Sequence, residues 1–283
     1  MISSAIKLTD ATKTFGNFTL GPINLTIPSG SIVGYIGENG AGKSTTIKLM
    51  LGLMKADSGS IEIFNTDINK FTTDMKKDIA YVFDNLYLPK DMTLKSARKF
   101  HEKLYKDAWD NVSFSRLVKH FNLPENKAIK HFSRGMKMQL GLALALSHNA
   151  KLLLLDEPTS GLDPVIRDDV LDLLLEYIQD EENTVLVSSH ILSDLEKIAD
   201  YIAFIHEGKL LFMDTKDGLI EKYGKASIEK EQLDSIDKAA IVGKRTHKFG
   251  VELLLKRELA PKDLKLENPS IEDIMVYMIR RNR

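Results

Sequence analysis

Four short stretches of this chain carry side chains whose types and spacing could do chemistry. The first runs Gly37-Glu38-Asn39-Gly40-Ala41-Gly42-Lys43-Ser44-Thr45. It follows an apolar run, Ser31 to Ile36, that reads as a buried strand, and it precedes Thr46 to Leu51, which reads as a helix. Strand, glycine-rich turn and helix form the context a phosphate-binding loop requires. Glycines let backbone N–H groups converge on phosphates, and the helix N-terminus adds the positive end of its dipole. Asn39, Gly40, Ala41, Gly42, Lys43, Ser44 and Thr45 are therefore expected to hold a nucleotide. Lys43 can reach its β- and γ-phosphates, and the Ser44 hydroxyl can ligate Mg²⁺.

The second stretch, Leu152-Leu153-Leu154-Leu155-Asp156-Glu157, puts two carboxylates at the carboxyl end of a buried strand, where ligands bind in open α/β sheets. Asp156 is the natural Mg²⁺ partner of Ser44, directly or through water, and Glu157 could polarise an attacking water as general base. The alternative is an ordinary acid pair at a strand end. In the third, His131 to Lys137, Ser133 suits the N-cap of a helix over Arg134 to Leu146, so its hydroxyl and the first N–H groups would form an anion site. Taken alone, the same residues also describe a capped core helix. The fourth is Ser188-Ser189-His190, just after another strand. A lone histidine there is usually a cap or a packed side chain. Here His190 could donate a hydrogen bond to a γ-phosphate.

These stretches need a scaffold, and the apolar pattern supplies one. Ile6 to Leu8, Phe18 to Ile27 and Ile32 to Ile36 read as strands. Ser58-Gly59-Ser60 reads as a turn into Ile61 to Phe64, and Ile79 to Phe83 as another strand. Residues 93–147 look predominantly helical. Alternation then resumes: strand Leu152 to Leu155, helix Pro164 to Gln179 capped by Asp163, strand Thr184 to Ser188, helix Ile191 to Ala199, and a hairpin Tyr201 to Phe212 around Glu207-Gly208. Beyond Tyr223-Gly224-Lys225 the pattern weakens, leaving one clear strand, Val251 to Leu255, and an amphipathic helix, Ile271 to Ile279. The expected fold is α/β with an inserted helical subdomain and a small α+β appendage.

With 283 residues the chain can build one large core, or a main domain with a small appendage. Its net charge of −1 gives no global electrostatic argument for nucleic acid. The absence of cysteine excludes disulfides and thiolate metal sites. No apolar run approaches the ~20 residues needed to span a bilayer, so work at a membrane would need another chain to hold this one there.

Over roughly residues 5–215 the sequence resembles the ATP-binding subunits of ABC transporters. Gly37 to Thr45 resembles Walker A, and Leu152 to Glu157 resembles Walker B. Phe132-Ser133-Arg134-Gly135-Met136 resembles the signature motif, commonly LSGGQ. Ser160-Gly161-Leu162-Asp163 is similar to the D-loop, His190 to the switch histidine, and Phe15 to the aromatic that stacks on adenine. The resemblance implies a P-loop NTPase sheet core with an N-terminal antiparallel β subdomain. It places the nucleotide-binding domain at residues 1–222, with its helical subdomain at about 93–147, and an accessory domain at 223–283. Two departures stand out. Asp84 occupies the position of the Q-loop glutamine, where it could contact the metal or its water shell and tighten Mg²⁺ dependence. Arg134 and Met136 replace the first glycine and the glutamine of the signature.

The resemblance also implies a mechanism. Two such domains close head to tail around two ATP molecules, each site joining one copy's Gly40, Gly42, Lys43, Ser44 and Asp156 to the other's Ser133 and Gly135. Glu157 and His190 serve hydrolysis, and helices of residues 93–120 pass the motion to transmembrane permease subunits at the cytoplasmic face of the membrane. The partner domain completes either a homodimer or a heterodimer, and no nucleic acid takes part. The residues around the signature resemble bacterial exporters of drugs and antimicrobial or cytolytic peptides. Alternatives are a small-metabolite importer ATPase and a soluble ABC-type ATPase acting on DNA or the ribosome. The interval before the signature lacks the sustained heptads of DNA-repair relatives, and translation-associated relatives usually carry two such domains.

Overall fold

The most apolar runs become the middle of a six-stranded sheet in the computed structural model, which describes residues 4–281. Along the chain the elements are β1 (Ser4–Phe15), β2 (Phe18–Pro28), β3 (Ile32–Ile36), α1 (Lys43–Met50), β4 (Ser58–Ile63), β5 (Thr66–Asp67) and β6 (Ile79–Val82). The helical segment holds α2 (Leu94–Tyr105), α3 (Asn111–His120) and α4 (Arg134–Ala145). Then come β7 (Leu152–Asp156), α5 (Pro164–Tyr177), β8 (Thr184–Ser189), α6 (Leu192–Ile198), β9 (Tyr201–His206) and β10 (Lys209–Thr215). The remainder is α7 (Lys216–Lys222), β11 (Tyr223–Ile228), β12 (Ile241–His247), β13 (Gly250–Lys256) and α8 (Ile271–Arg281).

The large sheet has the order β10-β9-β3-β8-β7-β6, and its pairs from β9 through to β6 are parallel. Every residue of β3, β7 and β8 is buried. Continuous apolar runs of this kind mark parallel strands covered on both faces, whereas alternation marks strands with one wet face. Because β3, β8, β7 and β6 are neighbours, the loops leaving their carboxyl ends converge. Those loops are the ones that begin at Gly37, His190, Glu157 and Phe83.

A second, antiparallel sheet, β2-β1-β4-β5, takes the alternating strands. In β2, Ile23, Leu25 and Ile27 are buried while the residues between them are exposed. Ser58-Gly59-Ser60 opens β4 instead of forming a turn. Gly59 has φ of +82°, and a Cβ there would lie 2.3 Å from the Asp10 carbonyl oxygen. Glycine serves close strand approach here, which local sequence reads as punctuation.

In the helical segment each helix has its own side-chain cap. Thr93 accepts from the Ser96 N–H, Asp110 from Val112 and Ser113, and Ser133 from Met136. Leu94, Trp109, Phe114, Leu117, Phe121, Phe132 and Leu140 form its core. The chain divides into two compact units, Met1–Leu211 and Phe212–Arg283. Within the second, α7 packs on β11 and α8, and β11-β13-β12 make an antiparallel sheet over Ala226, Ile228, Val251, Leu253 and Leu255. Two of its three strands, β11 and β12, carry glycine and basic residues where apolar alternation would have revealed them.

Candidate functional site

Gly42 caps α1 with φ of +111°, and a Cβ at this position would lie 2.7 Å from Leu20 Cδ1. Gly37, at the end of β3, would drive a Cβ to 2.4 Å from the Ile205 carbonyl oxygen. Both positions need glycine, and the loop between them turns back through the Ala41 N–H to Glu38 carbonyl bond of 3.1 Å. The first N–H groups of α1 have no acceptor within the helix. Under it, Thr46 Oγ1 donates to the Gly42 carbonyl at 2.9 Å and sits 3.1 Å from the buried Tyr35 hydroxyl.

Lys43 does not extend into solvent. Its Nζ donates to the Gly37 carbonyl at 2.7 Å and lies 3.1 Å from Glu157 Oε1, with only 6 % of the side chain exposed. The other carboxylate oxygen of Glu157 is 2.6 Å from His190 Nδ1. Glu157 itself is left-handed, with φ of +53°. A non-glycine residue rarely holds that conformation unless its surroundings over-determine it, and such residues cluster at functional sites. Here the Glu157 N–H donates to both the Ser188 carbonyl, at 3.1 Å, and the Ser188 hydroxyl, at 3.0 Å. That hydroxyl in turn donates to Asp156 Oδ1 at 2.7 Å. One serine of β8 therefore holds the Asp156 carboxylate and the Glu157 backbone at the neighbouring strand end. The serine pair was visible in the sequence, but its role follows only from the β7–β8 register.

These groups share one cleft of about 500 Å³, within the usual range for a small-molecule site. Asn39, Gly40, Gly42, Lys43, Ser44, Thr45, Asp84, Asp156, Glu157 and His190 line it, joined by Phe18, Lys48, Tyr87, Arg134 and Ser160. Ala41 borders a neighbouring hollow with Asn17 and Glu207. Three other residues singled out in the sequence also lie off the cleft wall. Ser133 and Gly135 sit on the N-terminal turn of α4, and Phe15 stands 41 % exposed at the β1–β2 hairpin with Lys13 Nζ 5.9 Å from its ring centre. Phe18, three residues on, is the aromatic that reaches the loop.

Among the described residues no cluster of three or more His, Cys, Asp or Glu side chains could hold a metal on its own. The exposed Ser44 and the buried Asp156 fit a different scheme, since Mg²⁺ is usually held by one or two protein oxygens together with substrate phosphates and water. The arrangement suits phosphoryl transfer to water: N–H groups and a lysine for the phosphates, and an oriented carboxylate for the nucleophile.

A sequence-family model described as ABC transporter matches residues 20–160. The bacitracin transport ATP-binding protein of Bacillus licheniformis is 37% identical over 215 residues, which cover 74% of this chain and 69% of that protein. The lantibiotic transport ATP-binding protein of Streptococcus pyogenes is 35% identical over 223 residues, 75% of this chain and 92% of that protein. A solved dimeric bacterial ABC transporter cassette superposes with a TM-score of 0.66 at 25% identity, over 74% of this chain and 98% of that one.

Proposed function

Because this chain belongs to the ABC transporter ATP-binding subunits, which hydrolyse ATP, we propose that its cleft performs that hydrolysis with the residues gathered there and that the cycle drives export of an antimicrobial peptide. The observation that carries the reading is Glu157, held in a strained backbone between Lys43 and His190 at the carboxyl ends of the central strands.

The loop N–H groups and Lys43 bind the β- and γ-phosphates. Glu157 takes the proton of the attacking water, and His190 keeps that carboxylate aimed and donates toward the γ-phosphate. Ser44 and Asp156 would hold Mg²⁺, with Asp84 near its water shell; the ion supplies charge neutralisation of the phosphates. Phe15, exposed at the hairpin beside Lys13, would stack on the adenine of a nucleotide that extends beyond the cleft wall.

Ser133 and Gly135 serve the nucleotide of a second copy or a homologous subunit. Their place on the α4 N-terminus, away from their own cleft wall, supports this, as does the dimeric form of a related cassette. A helix N-terminus and a hydroxyl aimed at γ-phosphate favour closure only while that phosphate is present.

Permease subunits would dock on the groove beside Asp84, where Tyr81, Tyr87, Phe100 and Leu104 are exposed together. Among the described residues no helix is long and apolar enough to cross a membrane, so the permease would hold this subunit at the cytoplasmic face. The peptide cargo is inferred from relatives named for bacitracin and lantibiotic transport.

The test is reconstitution of the chain with its membrane subunits in vesicles. ATP-dependent outward movement of a labelled cyclic peptide antibiotic is expected, with hydrolysis stimulated by the peptide. Uptake of a small metabolite, with no response to peptide, would overturn the cargo assignment.

A further inference from the structure

Arg134 stands where the signature motif carries its first glycine, and the hydrolytic scheme above leaves it unused. As the first residue of α4 it puts a cation against the positive end of the helix dipole, an unfavourable place. The first turn of α4 carries no acid to offset it. Among the described residues the arginines that form ion pairs are Arg116 and Arg167. A residue that breaks a local rule without compensation usually answers to function.

The guanidinium reaches into the loop that follows the general base. Nη2 lies 3.5 Å from Ser160 Oγ, and Nη1 would be only 2.9 Å from a Cβ on Gly161. Gly161 has φ of +70°, so glycine there provides both the turn and the seat for the guanidinium. The Ser160 N–H donates to the Glu157 carbonyl at 3.2 Å. At its far end the loop is fixed by Asp163, which caps α5 through the Val165 and Ile166 N–H groups at 3.2 Å each. A continuous set of contacts thus runs from the first turn of α4, through Ser160 and Gly161, to the backbone of Glu157.

We propose that Arg134 is a positioning residue for hydrolysis: laid over Gly161, it fixes the Ser160–Asp163 loop against the N-terminal turn of α4 and so keeps Glu157 in register with that helix. The proposal rests on Glu157 being the base and deepens that reading. Arginine suits the task because its planar guanidinium lies flat on exposed backbone, whereas a lysine presents a point charge on a mobile stem.

The test uses the full chain carrying Arg134→Gly, Arg134→Lys, Gly161→Ala and the Arg134→Gly/Gly161→Ala double substitution, with Glu157→Gln as control. Arg134→Gly is expected to lower kcat about five- to tenfold, the scale of one charged contact. The Kd for a non-hydrolysable ATP analogue should stay within about twofold. Arg134→Lys should recover only part of the loss. Gly161→Ala should cost less in the Arg134→Gly background than in the parent, because the two residues share one contact. A kcat for Arg134→Gly within twofold of the parent would overturn the proposal, as would independent, multiplying effects of the two substitutions. A Kd raised more than tenfold at unchanged kcat would make Arg134 a phosphate ligand instead. If Gly161→Ala fails to fold, the Arg134→Gly and Arg134→Lys pair decides alone. An active Glu157→Gln removes the underlying reading of the base; an inactive one beside an unaffected Arg134→Gly removes this proposal only.

Discussion

Glu157→Gln keeps the shape of a side chain held on one oxygen by Lys43 Nζ at 3.1 Å and on the other by His190 Nδ1 at 2.6 Å, and removes its charge. Both members of the lysine pair are largely buried, at 6 % and 16 % exposed. At this separation, and with an effective dielectric constant of ~20, their gross attraction is about 5 kcal/mol, much of it offset by desolvation. A γ-phosphate entering the cleft must draw Lys43 away from that carboxylate. Without the carboxylate's charge the competition ends, so ATP should bind as well as before or up to about tenfold tighter, if about 1.4 kcal/mol of the attraction survives. Turnover should move the opposite way, by about 10²–10⁴, the usual cost of losing a general base. Steady-state phosphate release and equilibrium ATP binding, measured on one preparation, read both quantities. Hydrolysis within tenfold of the parent would refute the base assignment. ATP binding weakened more than tenfold would refute the competition for Lys43. At saturating Mg-ATP the variant should also elute as a dimer, and a monomer under those conditions argues against the two-copy site.

His190→Ala should slow turnover by about 10²-fold while leaving the Kd for ATP nearly unchanged; lost ATP binding in a filter assay would assign His190 a structural role instead. Gly42→Ala should abolish tight ATP binding and lower the melting temperature, because it adds a Cβ at 2.7 Å from Leu20 Cδ1 to a residue with φ of +111°. Gly40→Ala, with φ of +83° but no atom within 4 Å of its added Cβ, should be clearly milder, and equal effects would contradict the steric account. The last prediction concerns His148, which is 2 % exposed and stacked on Tyr105 at 3.9 Å. Burial depresses its pKa to about 4. The unfolded chain therefore takes up a proton first as pH falls, and stability present above pH ~6.5 should decline by about 3 kcal/mol toward pH ~4. Urea melts across that range should show this slope, and His148→Leu should flatten it; an unchanged slope would acquit His148.

What the sequence disclosed, and what it withheld, follows the range of each interaction. The phosphate loop, the Ser133 cap and the Asp163 cap are set within a few residues, so residue type and spacing located them. The fully buried β3 and β7 announced themselves as continuous apolar runs. Which of two aromatics three positions apart would face the cleft depends on the β1–β2 hairpin, and spacing could not separate Phe15 from Phe18. The Lys43–Glu157 pair joins residues on separate strands, and no local pattern predicts it. In the last unit, Gly224, Lys225, Lys244 and Arg245 interrupt the alternation of β11 and β12, whose place is fixed by pairing with the strongly apolar β13.

The Ser188 hydroxyl gives the pairing of two strands a second duty. Asp156 stands opposite Ser188 in the parallel register of β7 and β8, and that alignment is what lets one hydroxyl serve both acids. Sliding β8 by a single residue would turn Ser188 to the opposite face and leave both acids without their common anchor. Side chains deep in this sheet, such as Leu153 and Val185, thereby act as spacers for chemistry they never touch. Substitutions there can silence the enzyme while most of the fold persists, and a loss of activity in such a variant is a measure of strand alignment.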